Sequence, residues 1–128
     1  MADGERRKRG EEMIRKVYAG DVVVPPAGAV PFSDVMLEQL FAEVWTRGEL
    51  EMRERRLLIM GVIAALGEKD TWKIQVRAAL KNGELSEAQV HEALIMLAQY
   101  AGYPRVAGLI GPTFAAIQEA KEAGDDAG

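Results

Sequence analysis

The chain has 128 residues, 48% of them apolar and 6% aromatic, with a net charge of -4 and no cysteine. A chain of this length forms one domain-sized core that buries roughly two-thirds of its unfolded surface, and the acidic balance speaks against a broad nucleic-acid footprint, which needs a basic face. Without cysteine there is no disulfide, no thiolate metal site and no cysteine-based redox or nucleophilic chemistry.

The basic cluster at Glu5 to Gly10 is the exception to the acidic balance. It reads as a solvated helix start rather than a nucleic-acid or membrane arm, because Glu11 and Glu12 follow at once. No apolar leader stretch follows, and the longest apolar run, Leu57 to Leu66, falls far short of the roughly 20 residues that span a bilayer. A cytoplasmic protein with no membrane and no nucleic-acid partner is expected.

In chain order, Glu11 to Ala19 has helical character and stops at Gly20. Asp21 to Phe32, rich in proline, is an extended connector. Ser33 is a candidate N-cap for a helix running to about Trp45, with Asp34 near the positive end of its dipole and Gly48 beyond it. The next helix runs from about Glu51 to Leu66 and closes on Gly67. Its second half is apolar on all faces, which places it in the middle of a bundle or at a subunit interface.

A helix from Asp70 to Lys81 is closed by Asn82 and Gly83. Ser86 and Gln89 then form a capping-box pattern, with Leu85 and Val90 at staple positions, opening a helix to about Ala101. Val90, Leu94, Leu97, Ala98 and Ala101 share one stripe. A last helix from about Arg105 to Ala123 contains Gly111 and Pro112, so a kink or break is expected there. Residues 1–9 and 124–128 are expected to be flexible ends. No period-2 alternation of useful length occurs, so the fold class is all-α, with five or six helices in a single domain over residues 1–128.

The chemical inventory is thin. There is no glycine-rich phosphate loop, no metal-spaced cluster and only one histidine. What remains is arginine, a guanidinium fork suited to carboxylates, at Arg47, Arg53, Arg55, Arg56 and Arg77, with Glu43, Glu51, Glu54 and Glu92 as internal partners. Arg53, Glu54 and Arg56 read as solvated helix surface. Arg55 and Arg77 lie in apolar context, where an arginine has a carboxylate partner from the protein or from a ligand. His91 reads mainly as a structural residue, with a catalytic or ligand role as the alternative. Trp45 and Trp72 read as packing or interface residues.

The segments EVWTRGELEMRERRLL, AALGEKD, QVRAALKNG and ALIMLAQYAGYP, in this order and spacing, resemble the carboxymuconolactone decarboxylase family over about Gly10 to Ala123. The resemblance implies an alkylhydroperoxidase-D-like all-α fold and a homo-oligomer, a hexamer or trimer. The branch of that family that reduces peroxides with a Cys-x-x-Cys pair is excluded by the lack of cysteine. The other branch is similar to the cofactor-independent decarboxylase of protocatechuate catabolism, which acts on a dicarboxylated lactone.

For this branch the resemblance implies a small anionic substrate, no cofactor and no metal. Glu43, Trp45, Arg47, Arg53 and Arg55 fall on the family pattern EVW-x-R-x5-R-x-R, and Glu43, Trp45, Arg47 and Arg55 are the expected substrate-binding residues. Arg77 falls on the arginine of its H-x-R-A-A motif, whose histidine is replaced by Gln75. Glutamine cannot exchange a proton near pH 7, so His91 and Tyr100 are the substitutes at hand; Gln75, Arg77 and His91 are the expected catalytic set, in a pocket near Arg55, Gln75 and Arg77. A non-catalytic binding or scaffold homologue that kept the fold and lost the acid is the competing expectation.

Overall fold

The computed structural model describes residues 2–127. All regular structure among them is helical: α1 (Ala2–Val17), α2 (Pro31–Val35) continuing into a π-helical segment (Met36–Val44), α3 (Met52–Leu66), α4 (Lys69–Lys81), α5 (Glu87–Ala101), the single-turn α6 (Tyr103–Ala107) and α7 (Ile110–Ala127). The all-α expectation holds. The chain divides into two compact units, Met1–Met52 and Arg53–Gly128.

In the first unit α1 packs along the π-helical segment, burying Ile14 and Val17 with Leu37 and Phe41. Gly10 permits that approach, since a Cβ there would lie 2.0 Å from the Leu37 carbonyl oxygen. Phe41 stacks on Trp45 with ring centroids 6.2 Å apart, and Tyr18 meets Phe41 edge-on.

The helix α1 begins at Ala2, nine residues before the expected Glu11, so the N-terminal stretch expected to be flexible is helical from Ala2. The cause is long-range pairing that replaces hydration. Arg7 is buried, donates to Asp34 and to the Pro25 carbonyl and pairs with Glu11; Arg6 and Arg9 both reach Glu43. The basic cluster is therefore only in part the solvated helix start expected. Ser33 is not the cap of α2: Pro31 opens that helix, with its fixed φ and missing N–H suited to the first turn, and Val30 is the N-cap. Asp34 instead accepts from Arg7 and from the Gly28 backbone.

The second unit is built on the facing pair α4 and α7 with α3 and α5. Trp72, Val76, Met60, Val90, Leu109 and Ala116 lie at its centre, each essentially solvent-free. The capping box forms as expected: the Gln89 backbone donates to Ser86 Oγ at 3.1 Å and the Ser86 backbone to Gln89 Oε1 at 2.9 Å. Both C-termini closed by glycine also form, with Gly67 and Gly83 at φ +70° and the following Glu68 and Glu84 amides reaching back to Ile63 and Ala79.

Two expectations need correction here, and a third is narrowed to one of its two forms. The break in the last helix falls at residues 108–109 and not at Gly111–Pro112, because Pro112 sits in the first turn of α7, where a missing N–H costs nothing. The tail from Gly124 stays helical through Ala127, and Gly128 lies outside the described residues. The apolar half of α3 buries only one face within this unit: Arg56, Met60 and Ala64 are enclosed, while Leu58, Val62 and Leu66 are at least 60% exposed.

Candidate functional site

Among the described residues of the second unit, three clusters bear on chemistry. The first is centred on Arg56, which is fully buried. Its Nε donates to Glu84 Oε1 at 2.9 Å, Nη2 to Glu84 Oε2 at 3.2 Å and Nη1 to Gln75 Oε1 at 2.5 Å. This bidentate fork neutralises a buried charge, the condition under which a buried arginine is tolerated. Asn82 Nδ2 also donates to Glu84, and Arg53 donates to the Glu84 backbone carbonyl at 2.9 Å. The turn after α4 is thereby tied to α3.

The second cluster joins α4 to α7. Glu119 accepts from Lys73 at 2.6 Å and from Arg77 Nη1 at 2.7 Å. The Lys73 hydrogen bond, the largest influence, holds the Glu119 carboxyl below its ordinary value; desolvation opposes it, and the Arg77 hydrogen bond adds a smaller lowering.

The third is a cavity of about 300 Å³ between α5, α6 and α7. His91, Leu94 and Ile95 come from α5, Tyr103 from α6, and Ile110 and Phe114 from α7. The His91 ring packs on Phe114 with centroids 5.7 Å apart. Among the described residues no group hydrogen-bonds its ring nitrogens. Thr113, at the back of the cavity, is saturated: its hydroxyl accepts from Trp72 Nε1 at 2.8 Å and donates to the Leu109 carbonyl at 2.7 Å. The arrangement can offer a proton donor against apolar walls, where electrostatic interactions are stronger than in water.

The residues expected to act together are thus distributed. Gln75 is buried in the Arg56 cluster, Arg77 is held by Glu119, and His91 faces the cavity. Arg55 is half-buried on α3, the helix that carries Arg56. Within the first unit, Glu43 is engaged by Arg6 and Arg9, Trp45 is buried against Phe41, and Arg47 is exposed. Trp72 is a packing residue at the core of the second unit, as expected.

Arg56 was expected to be solvated, and this is corrected: it lies on the buried stripe with Met60 and Ala64, spaced by four residues each, a signal present in the sequence. Glu84, Glu119 and Phe114 were not singled out. Glu84 and Glu119 are separated from their arginines by 28 and 42 positions, beyond any local pattern.

Among the described residues no helix is long and apolar enough to cross a membrane. The described residues thus combine regular structure that is helical throughout, charged side chains paired inside it and an imidazole on an apolar cavity. The sequence profile of the carboxymuconolactone decarboxylase family matches residues 31–113, and the chain belongs to this family. It is 29% identical over 109 residues to a 4-carboxymuconolactone decarboxylase of Acinetobacter baylyi, covering 81% of each chain. It is 32% identical over 100 residues to the nitrosuccinic acid decarboxylase of Metarhizium robertsii, covering 71% of this chain and 67% of that protein.

Proposed function

We propose that the chain is a carboxy-lyase that removes carbon dioxide from a small carboxylated lactone or oxo acid without a cofactor, with the reaction in the His91 cavity. The place in aromatic-compound catabolism comes from the family resemblance alone. Both relatives are named as decarboxylases, which supports the reaction class. The observation that carries the site is His91, the one histidine of the sequence, on the wall of the α5–α7 cavity.

In this reading the substrate carboxylate enters a cavity with few donors, where its localised charge is poorly solvated and the more dispersed charge of the transition state is penalised less. The bond to the carboxylate carbon breaks, carbon dioxide leaves, and the electron pair passes into the substrate's own conjugated carbonyl as an enolate. The His91 imidazolium gives its proton to the resulting carbanionic carbon and is reprotonated from water at the cavity mouth. Gln75 and Arg77 then act in the framework and not in the reaction, one holding Arg56 and the other Glu119.

Release of carbon dioxide by the purified chain tests the reading, with freshly generated 4-carboxymuconolactone, 2-nitrosuccinate and a monocarboxylic 3-oxo acid offered separately. Turnover of at least one above the spontaneous rate is expected; no turnover of any would overturn it. A second reading, a non-catalytic binding homologue, is favoured by one observation: Gln75, at the position of the family motif's histidine, has its Oε1 occupied by Arg56. Stabilisation of the chain by small carboxylates without turnover is the result that reading expects.

We also propose a homo-oligomer. The exposed row Leu58, Val62 and Leu66 on α3 supports it. Sedimentation is expected to give a multiple of the 14.0 kDa chain mass, and a monomer at micromolar concentration would refute it.

A further inference from the structure

We infer that the His91 cavity selects a substrate with a single carboxylate on an apolar ring or chain and discriminates against diacids. The inference rests on the decarboxylase reading for the word substrate, but its ligand chemistry follows from the cavity alone. None of the residues lining the cavity is Lys, Arg, Asp or Glu. The polar groups on the wall are few, and none but His91 can carry a positive charge. Thr113 is saturated by Trp72 and Leu109. The Tyr103 hydroxyl, on a residue 65% exposed, accepts from Gln99 at 2.6 Å and keeps its O–H as a neutral donor.

Among the described lining residues the imidazole is thus the one group able to act as a counter-ion to an anion. A first carboxylate can accept from the His91 imidazole, with its apolar body against Phe114, Ile95 and Leu94. A second carboxylate on the same small molecule would be pressed against apolar walls with no counter-ion, and burying an unpaired charge is the costliest transfer available. The volume of about 300 Å³ lies at the small end for ligand cavities and suits a single ring. By contrast, nitrosuccinic acid, in the printed name of one relative, carries two carboxyl groups. The dicarboxylated lactone that the family resemblance implies is a diacid too, so selectivity is expected to differ between this chain and both relatives.

The test uses the full chain and two unreactive probes of matched ring, benzoate and phthalate. Because the sequence has one histidine, the imidazole carbon-bound protons give a single resolvable pair of NMR signals, and titration of their shifts yields both dissociation constants. Benzoate is expected to bind at least about tenfold more tightly than phthalate, a modest share of the cost of an uncompensated charge. In Ile110→Arg, at a wall position 48% exposed, the added guanidinium is expected to narrow or reverse that ratio while benzoate binding persists.

Phthalate binding as tight as benzoate, or no shift of the His91 signals with either probe at millimolar concentration, would overturn the inference. Its failure is separable from that of the decarboxylase reading. Selective benzoate binding in a chain that turns over nothing removes the reaction and keeps the ligand class. Faster turnover of diacids than of monocarboxylic oxo acids keeps the reaction and removes the ligand class.

Discussion

In the Arg56 cluster, guanidinium, carboxylate and amide are enclosed together and saturate one another; at the α5–α7 cavity, an imidazole is left facing open space against apolar walls. Both lie in the same unit. The difference teaches where each kind of group is at work: a buried charge with its bonds satisfied fixes geometry, whereas a polar group without a protein partner beside a cavity is available to a ligand. The family motif directs attention to Gln75, but its surroundings assign it to the first kind of region.

The largest effect expected from breaking the contrast is on stability. Glu84→Ala removes the carboxylate counter-ion of the fully buried Arg56 and is expected to destabilise by roughly 3–5 kcal/mol in urea unfolding; a loss under about 1 kcal/mol would show that water reaches Arg56 and that the cluster is not the enclosed pair described. Thr113→Val sharpens the view of the cavity's back wall. It removes the acceptor of the Trp72 indole N–H and is expected to cost about 1–3 kcal/mol while leaving His91 in place.

The smallest effect concerns Glu119. Its carboxyl titrates below its ordinary value of 4.5 in the folded chain, chiefly through the Lys73 hydrogen bond and then Arg77. A depressed carboxylate contributes stability that is present above its unfolded value and lost as pH falls through the folded one. Comparison of the chain with Glu119→Gln is therefore expected to show a stability difference above about pH 4.5 that shrinks on acidification. The side chain is 35% exposed, so the difference is expected to stay at about 1 kcal/mol or less; a difference that grows towards low pH would contradict the assignment.

Much of the fold was legible because its signals are local. Ser86 with Gln89, Gly67 and Gly83 each act within one turn, and the structure uses them as the sequence implies. The extent of α1 was not legible, since Arg7 and Arg9 acquire partners 27 and 34 positions away. Pro112 was read as a break, yet proline in a first turn is harmless, and only the location of Gly108–Leu109 reveals the true end. For the candidate site, arginine was correctly singled out as chemistry needing carboxylates, but the carboxylates of Arg56 and Arg77 are the chain's own Glu84 and Glu119. The stripe Arg56, Met60, Ala64 was readable and points to the buried arginine; the neighbouring run of leucines masked it. His91 was visible as a substitute acid, while its cavity depends on α6 and α7 and on no local pattern.

The most direct test measures carbon dioxide release and unfolding free energy together for His91→Gln and Gln75→Leu. For His91→Gln, turnover is expected to fall at least about 100-fold, the low end for loss of a general acid, with stability within about 0.5 kcal/mol of the unmodified chain. For Gln75→Leu, which removes the acceptor of Arg56 Nη1, stability is expected to fall by about 1.5–3 kcal/mol, while the folded fraction keeps its turnover. The reverse pattern, with full activity in His91→Gln and loss of activity without loss of stability in Gln75→Leu, would contradict the division of labour between cavity and cluster and return the chemistry to the motif position.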